Sequence, residues 1–459
     1  MSESDLLSQL GTSGGGGRQS TRDNTASRHL RIATIALLAL VFLAPLMTYN
    51  QLPLTGEGSA QRQLGYLLIL GLALFGAQPA VAGWKLVPLP LPLLLALGWC
   101  WLSLAWAIDP SIGVRRLLLT TALIWTIFIV VRFAGYRATV DVLKYGLLAG
   151  LVLNYLFVFI DPATGIHLMK DSAMPTALIG NWRGFMVHKN FAGAACAITI
   201  LVFLLDRDKL HWALRAAIIL AAGYFLFRSQ SKTSAGMVVL SLAAAWIFQA
   251  FSRKWRAYLI PALFIVGAIG WTVTSAYRNV IESSYLDPAA FTGRGQIWSV
   301  LISYAKDHLL LGTGFGSFWN IGPDSPVYLY GKGYVTLISV GHNGYLDLLV
   351  TVGLPGLVLI VFATIVWPLL RLLRSEGIAA EQGALVTALL LFCVGHNITE
   401  SSLFERDAFV GMFMMFAVAL AQEISRHRRK SSSGKRSDGN DLLRAMKKRA
   451  AAHELSAET

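Results

Sequence analysis

RRLLLTTALIWTIFIVVR, residues 115–132, is the stretch that decides the fold class, because it contains fifteen consecutive uncharged and mostly apolar residues. A helix that crosses a bilayer needs roughly 20 predominantly apolar residues. Similar blocks recur along the 459-residue chain, which is 55% hydrophobic and only 14% charged, with a mean hydropathy of +0.57. Soluble domains carry about 25% charged residues. The composition indicates an all-α integral membrane protein, and it excludes a soluble enzyme, a disordered chain and a disulfide scaffold.

The apolar blocks predict about twelve transmembrane helices. They lie near residues 31–49, 64–82, 88–107, 115–132, 142–160, 191–205, 212–228, 235–251, 256–275, 343–370, 380–396 and 407–424. Lys and Arg are enriched in cytoplasmic loops, so alternate basic loops indicate which side is the cytoplasm. With the N-terminus inside, every inside loop is basic, and an even number of spans also places the basic C-terminal tail inside.

Three regions follow from this pattern. Residues 1–28 are polar and rich in Gly and Ser, which predicts a disordered cytoplasmic tail, and residues 426–459 form a basic cytoplasmic tail. Residues 29–425 form the membrane domain between them. Its largest external segment is 276–342, between spans 9 and 10, and the amphipathic run Gly295–Leu311 predicts a helix within it.

Cations in the external loops are the most informative charged residues. Interfacial snorkelling or lipid headgroup contact explains any single one. Several cations at one face, however, repel one another unless an anion binds among them, and Arg binds phosphate through two N–H groups at once. They therefore indicate a phosphate or diphosphate ligand at the outer leaflet. The cations that form this set are Arg115, Arg116, Arg183, Lys189, Arg228, Lys232, Arg278 and Arg294.

Other chemistries have weaker support. The net charge of +14 does not indicate nucleic-acid binding, because the positive residues lie in short loops and tails. Cys100, Cys196 and Cys393 lie in apolar stretches without ligand spacing, so we expect neither a structural metal nor a disulfide framework. RSQSKTSAG (228–236) is either an anion-binding helix start or an ordinary polar turn. LGTGFGSFW (311–319) predicts a tight loop against the bundle in preference to a nucleotide-binding loop.

Two Gly-His-Asn triplets contain the candidate catalytic histidines. Gly341–Asn343 begins the tenth span, Gly395–Asn397 ends the eleventh, and two adjacent antiparallel helices bring such ends to one face. A helix N-terminus disfavours the imidazolium, which suits His342 to accept a proton, whereas the C-terminal position of His396 favours the charged ring. An interfacial histidine with a purely structural role is the alternative for each. His188, close to Arg183, is a further candidate.

Three stretches together resemble the O-antigen ligase and Wzy-type polymerase superfamily: TGRGQIW (292–298), LLLGTGFGSFW (309–319) and HNGYLDLLVTVGLPG (342–356). Further stretches are most similar to its exopolysaccharide-polymerase branch, of the succinoglycan-polymerase type. They are SLAWAIDPSIGVRR (103–116), NWRGFMVHKN (181–190), RSQSKTSAG and HNITESSLFERD (396–407). The resemblance covers about residues 30–425 and leaves out both tails.

The resemblance implies a GT-C-like glycosyltransferase of the bacterial inner membrane that needs no metal or other cofactor. It would polymerise undecaprenyl-diphosphate-linked oligosaccharides on the periplasmic face, by inverting transfer to a sugar hydroxyl. His342 matches the family's external histidine, and we expect it to act as the general base. Supporting residues are His396, His188 and Asn343. The expected diphosphate ligands are Arg183, Arg228 and Arg294, with Arg116, Lys232 and Lys189.

Two other functions remain open at this stage. An O-antigen ligase would move the finished glycan onto lipid A core or another acceptor, with the same donor chemistry. A transporter of the same lipid-linked glycan would require charged residues at the bilayer midplane and broken, repeated helices, for which the sequence offers no clear sign. Chain-length regulators and export proteins are further expected partners.

Overall fold

The structure, a computed structural model, describes residues 13–48, 60–168, 178–207, 210–285, 294–405 and 408–426. Within them every regular element is helical, and the β-structure is one isolated bridge between Ile166 and Trp182. The main helices are α1 (Ser13–Thr48), α2 (Ala60–Gly76), α3 (Leu91–Leu102), α4 (Pro110–Ile160), α5 (Lys189–Leu205), α6 (Trp212–Ser229), α7 (Lys232–Ala250), α8 (Arg253–Tyr285), α9 (Arg294–Asp307), α10 (Gly344–Val361), α11 (Ala380–His396) and α12 (Phe409–Arg426).

The helices are those of a membrane protein. Six are long and apolar enough to cross a bilayer, and the bent pair Gln61–Gly76 and Pro79–Leu86 makes a seventh if it counts as one span. Three shorter apolar helices, Leu91–Trp106, α5 and α11, add to these. The twelve predicted spans thus all fall on helices, but twelve complete crossings remain a prediction.

The N-terminal tail differs from its prediction. Helix α1 begins at Ser13, so residues 13–28, which we expected to be disordered, are helical. A helix that is already nucleated extends at little cost per residue, and the apolar part of α1 supplies that nucleus. Residues 1–12 and the predicted basic tail after Arg426 lie outside the described residues.

Helix α4 has 51 residues, but it consists of two helical arms that meet at a break. Gly135 breaks it with φ 82° and ψ 170°, a conformation that only glycine adopts readily. Residues on either side of the break, Arg132 and Arg137, pair with Glu423 and Asp206 at the C-terminal ends of α12 and α5. Both outer ends of α4 instead reach the opposite end of the bundle, where the loops predicted to be external lie.

The loops predicted to be external pack on a small core of their own. The predicted amphipathic helix is present as α9, and its residues Ile297, Leu301 and Tyr304 are buried against Phe318 and Val350. The glycine-rich loop predicted to touch the bundle does so: a Cβ at Gly314 would lie 2.5 Å from Cα of Ala107. This packing fixes α9 and the start of α10 relative to each other.

Candidate active site

The buried carboxylate of Glu400 organises the site. Its residue is only 3% exposed, in the segment that connects α11 to α12. Oε2 lies 3.2 Å from Nδ1 of His342. Oε1 accepts hydrogen bonds from Nη2 of Arg294 at 2.5 Å and from Nδ2 of Asn190 at 2.6 Å. One side chain therefore joins groups from the start of α5, the start of α9 and the residue two positions before α10.

Local backbone structure places His342. Asn343 caps α10, since its Oδ1 accepts hydrogen bonds from the backbone N–H groups of Tyr345 and Leu346. His342 stands just before that cap with φ +49°, in the left-handed region that a non-glycine residue seldom occupies. The predicted position of His342 at a helix start is correct. Its left-handed backbone persists because the surrounding contacts hold both neighbouring residues.

Asp347 ties together the segments that carry His342 and Glu400. It accepts a hydrogen bond from Nε1 of Trp319 at 2.8 Å and from the backbone N–H of Gly341 at 3.1 Å. It also accepts a hydrogen bond from Oγ of Ser401. The bonded groups belong to the glycine-rich loop, to the residue before His342 and to the residue after Glu400, so this one carboxylate fixes the register between the catalytic candidates.

The charge on Glu400 fixes the proton positions on His342. Burial raises the pKa of the Glu400 carboxyl, but the hydrogen bond with His342 and the charge of Arg294 outweigh it and lower this pKa to about 2. An ionised carboxylate only accepts hydrogen bonds, so Nδ1 of His342 carries a hydrogen and Nε2 of the neutral ring carries a lone pair. The ring is therefore oriented to take up a proton at Nε2.

A second pair of histidines lies at the start of α5. His167 and His188 stand with ring centroids 5.4 Å apart. Nε2 of His167 accepts the N–H of Lys189, and Nδ1 of His188 accepts that of Asn190. Burial lowers the pKa of both rings to about 4; for His167 the charges of Arg183 and Lys189 add to this effect. Both rings are neutral at pH 7, and the remaining nitrogen of each carries a hydrogen that it can donate.

The predicted diphosphate ligands divide into two sets. Arg294 contacts Glu400 directly. Burial lowers the pKa of Lys189, and the positive charges of Lys232 and Arg294 lower it further, so these three cations interact. Arg183, Arg228 and Arg116 hold other contacts. Nε of Arg183 donates to the carbonyl of Thr164 at 2.7 Å, the guanidinium of Arg228 stacks over Trp182 at 4.9 Å, and Nη1 of Arg116 donates to the carbonyl of Gly316 at 2.6 Å.

The two Gly-His-Asn triplets meet, but their histidines differ in environment. The N–H of Gly344 donates to the carbonyl of Asn397 at 2.9 Å. His342 has a side chain 31% exposed, whereas His396 is completely buried and stacks on Phe392. Neither ring nitrogen of His396 has a hydrogen-bond partner. The expectation that its helix-end position favours a charged ring is therefore wrong, because burying an ion without a partner costs far more than a helix dipole returns.

Sequence reasoning missed three residues of this site: Glu400, Asn190 and Asp347. Glu400 lies in the stretch HNITESSLFERD (396–407), which also contains Glu405 and Asp407, so its charge alone did not single it out. Asn190 and Asp347 carry no distinguishing signal either. No group of three or more His, Cys, Asp or Glu side chains that could hold a metal occurs within the described part of the chain.

A family model described as O-antigen ligase matches residues 216–361. The matched region contains Arg294, the first residue of α9, and His342, two residues before α10. No curated protein matches the chain. The family implies glycan transfer of the O-antigen ligase or polymerase type, from a lipid-linked donor to an acceptor. Through residues 216–361, the chain is therefore similar to the O-antigen ligase and Wzy-type polymerase superfamily.

Proposed function

We propose that the protein polymerises undecaprenyl-diphosphate-linked oligosaccharides into an exopolysaccharide or O-antigen-like polymer, at the periplasmic face of the bacterial inner membrane. The observation that carries the proposal is the contact of Glu400 with both His342 and Arg294. It joins a base, the carboxylate that orients it and a cation within one hydrogen-bonded group.

The chemistry is an inverting glycosyl transfer without a metal. Nε2 of His342 accepts the proton of the acceptor hydroxyl, and the hydroxyl oxygen bonds to the anomeric carbon of the donor. The bond from that carbon to the diphosphate oxygen breaks, and the diphosphate leaves with the electron pair. Glu400 stabilises the positive charge that His342 gains, as a carboxylate does in other carboxylate–histidine pairs.

The leaving diphosphate is stabilised by cations at the same end of the bundle. Arg294 uses Nη2 for Glu400, and a guanidinium has five N–H donors, so Arg294 can hold both Glu400 and a phosphate oxygen. Lys189 and Lys232 stand beside it. His188 adds a neutral N–H donor. Arg183 and Arg228 act from the rim of the site, where they also hold the loop before α5 in place.

An O-antigen ligase is the second candidate, because the description of the matching family model favours it. A ligase and a polymerase share the donor and the His342 chemistry and differ in the acceptor. The segments most similar to exopolysaccharide polymerases support polymerisation. Chain-length and export proteins belong to this proposal as partners of the polymer product.

One reconstitution tests both functions. Purified full-length protein in lipid bilayers is incubated with lipid-linked repeat units alone, then with lipid A core added, each with and without EDTA. We expect a ladder of polymer from repeat units alone, unchanged by EDTA. A single glycan addition that requires lipid A core would establish the ligase instead, and no glycosidic product under either condition would contradict both functions.

A further inference from the structure

A cavity of about 390 Å³ lies beside the candidate active site. Its walls come from α1, α2, α4 and α10, from the glycine-rich loop, and from the segments that lead into α5 and α12 and carry Met186 and Leu403. Small-molecule sites occupy roughly 300–1,000 Å³. The volume of this cavity is therefore that of a ligand site, and larger than a packing defect.

The residues that line the cavity include aromatic rings, hydrogen-bond donors and hydrogen-bond acceptors. Phe315, Trp319 and Phe409 are among the aromatic residues. Arg62 and Asn320 supply hydrogen-bond donors, and Glu405 supplies acceptors. Positive and negative side chains occur here together, whereas Arg294, Lys189 and Lys232 do not line this space. A sugar ring has apolar C–H faces and hydroxyls that both donate and accept, so this lining suits a sugar better than a diphosphate.

The cavity lies next to the segments that carry the contacting pair His342 and Glu400, called the dyad below. Val340 and Gly344, which flank the segment of His342, line it, and so does Ser401, which follows Glu400. Consecutive Cα atoms lie 3.8 Å apart, so a ligand in the cavity is within a few ångströms of the backbone that carries the dyad. A ligand bound there therefore lies next to the segments that carry His342 and Glu400.

One wall of the cavity is held in place by Arg116. Its Nη1 donates to the carbonyls of Gly316 and Trp319, at 2.6 and 2.8 Å. Gly316 has φ +72°, and a Cβ there would lie 2.9 Å from Cδ of Arg116, so the loop fits closely around the guanidinium. Arg116, in α4, therefore holds the glycine-rich loop in the conformation that places Trp319 in this wall.

We propose that this cavity is the acceptor subsite, which binds the terminal sugar residues of the glycan whose hydroxyl His342 deprotonates. The proposal rests on the proposed glycan transfer and assigns the two substrates to different places. The donor diphosphate lies with Arg294, Lys189 and Lys232. The acceptor sugar lies between the glycine-rich loop and α10.

Thr351 offers a way to fill the cavity from inside α10. It lines the cavity, and its Oγ1 bonds only to carbonyls of its own helix, those of Asp347 and Leu348, among the contacts described. Thr351→Trp therefore adds bulk without removing a contact to another segment. Val358 in the same helix is 57% exposed, so Val358→Trp is the matched control. Arg62→Gln leaves the cavity open and removes a donor, which provides a second variant.

The experiment measures binding of two probes to full-length protein in lipid bilayers. One probe is the lipid-free glycan released by mild acid from the lipid-linked repeat units of the host cells, and the other is undecaprenyl diphosphate. We expect Thr351→Trp and Arg62→Gln to weaken glycan binding roughly tenfold or more, and Val358→Trp to leave it within about twofold. Undecaprenyl diphosphate should bind these variants normally and bind Arg294→Gln weakly.

The possible results distinguish a failure of the acceptor-subsite proposal from a failure of the proposed glycan transfer. Glycan binding that survives in both cavity variants, or that Val358→Trp weakens equally, overturns the acceptor subsite even if the wild type makes polymer. Cavity-dependent glycan binding by a wild type that forms no glycosidic bond supports the sugar site and contradicts the proposed transfer. Loss of undecaprenyl diphosphate binding in Thr351→Trp would assign the cavity to the donor and overturn the proposal.

Discussion

His342 and Glu400 are 58 residues apart in sequence, yet Nδ1 of the imidazole lies 3.2 Å from Oε2 of the carboxylate. Arg294 contacts the other oxygen of the same carboxylate. The charge of Glu400 is thus shared between His342, the proposed base, and Arg294. In the proposed mechanism Glu400 is a positioning residue, which acts on the reaction through His342.

Glu400→Gln should reduce transfer by roughly 10²–10⁴-fold, because the amide neither fixes the ring tautomer nor stabilises the protonated ring. Initial rates of glycan transfer at pH 7 check this effect. Full activity in this variant would remove Glu400 from the mechanism.

The ionisation of Glu400 predicts how stability depends on pH. Its pKa in the folded protein is about 2, below the usual carboxyl value of 4.5. A lowered carboxyl pKa stabilises the folded state above the unfolded pKa, and this contribution is lost as the pH falls towards the folded pKa. Thermal unfolding should therefore show wild type more stable than Glu400→Gln at pH 6, with the gap shrinking below about pH 4. A gap that stays constant down to pH 3 would argue against this ionisation.

His342→Ala should insert normally and lose transfer by roughly 10²–10⁴-fold, the span expected for a general base. His396→Ala is the comparison, because it removes a fully buried ring and leaves a cavity in the core. That variant should lower the thermal unfolding temperature and retain most transfer at permissive temperature. If His396→Ala abolishes transfer while His342→Ala retains it, the assignment of the base is wrong.

Arg→Lys substitutions at 183, 228 and 294 test the fork geometry of the diphosphate ligands. Arg294→Lys should reduce transfer most, roughly tenfold or more, because an ammonium group cannot span Glu400 and a phosphate with separate planar N–H groups. Arg253→Lys is the control: Arg253 pairs with Glu376 at the other end of the bundle, in an exposed ion pair. It should stay within about twofold of wild type. Full transfer in all three variants would reduce these arginines to interfacial residues.

The predicted topology is accessible to cysteine labelling. Leu329 in the large external segment is 84% exposed, and Lys85 is exposed at the end of the bundle predicted to face the cytoplasm. The natural cysteines are buried, so they give little background. An impermeant maleimide should label Leu329→Cys in intact cells and label Lys85→Cys only after lysis. The reverse pattern would place the site on the cytoplasmic face.

The sequence alone determined the membrane class, the positions of the helices and the location of His342 just before a helix. These features are local: a run of apolar residues or an Asn cap has the same meaning wherever it occurs in a chain. Packing decided the rest. Asn190, Arg294 and Glu400 are separated by up to 210 residues, and no periodicity reveals that their side chains meet. The burial of His396 was missed for the same reason. A position at the end of a helix suggests an exposed ring, and only the packing of α11 shows that the ring is buried.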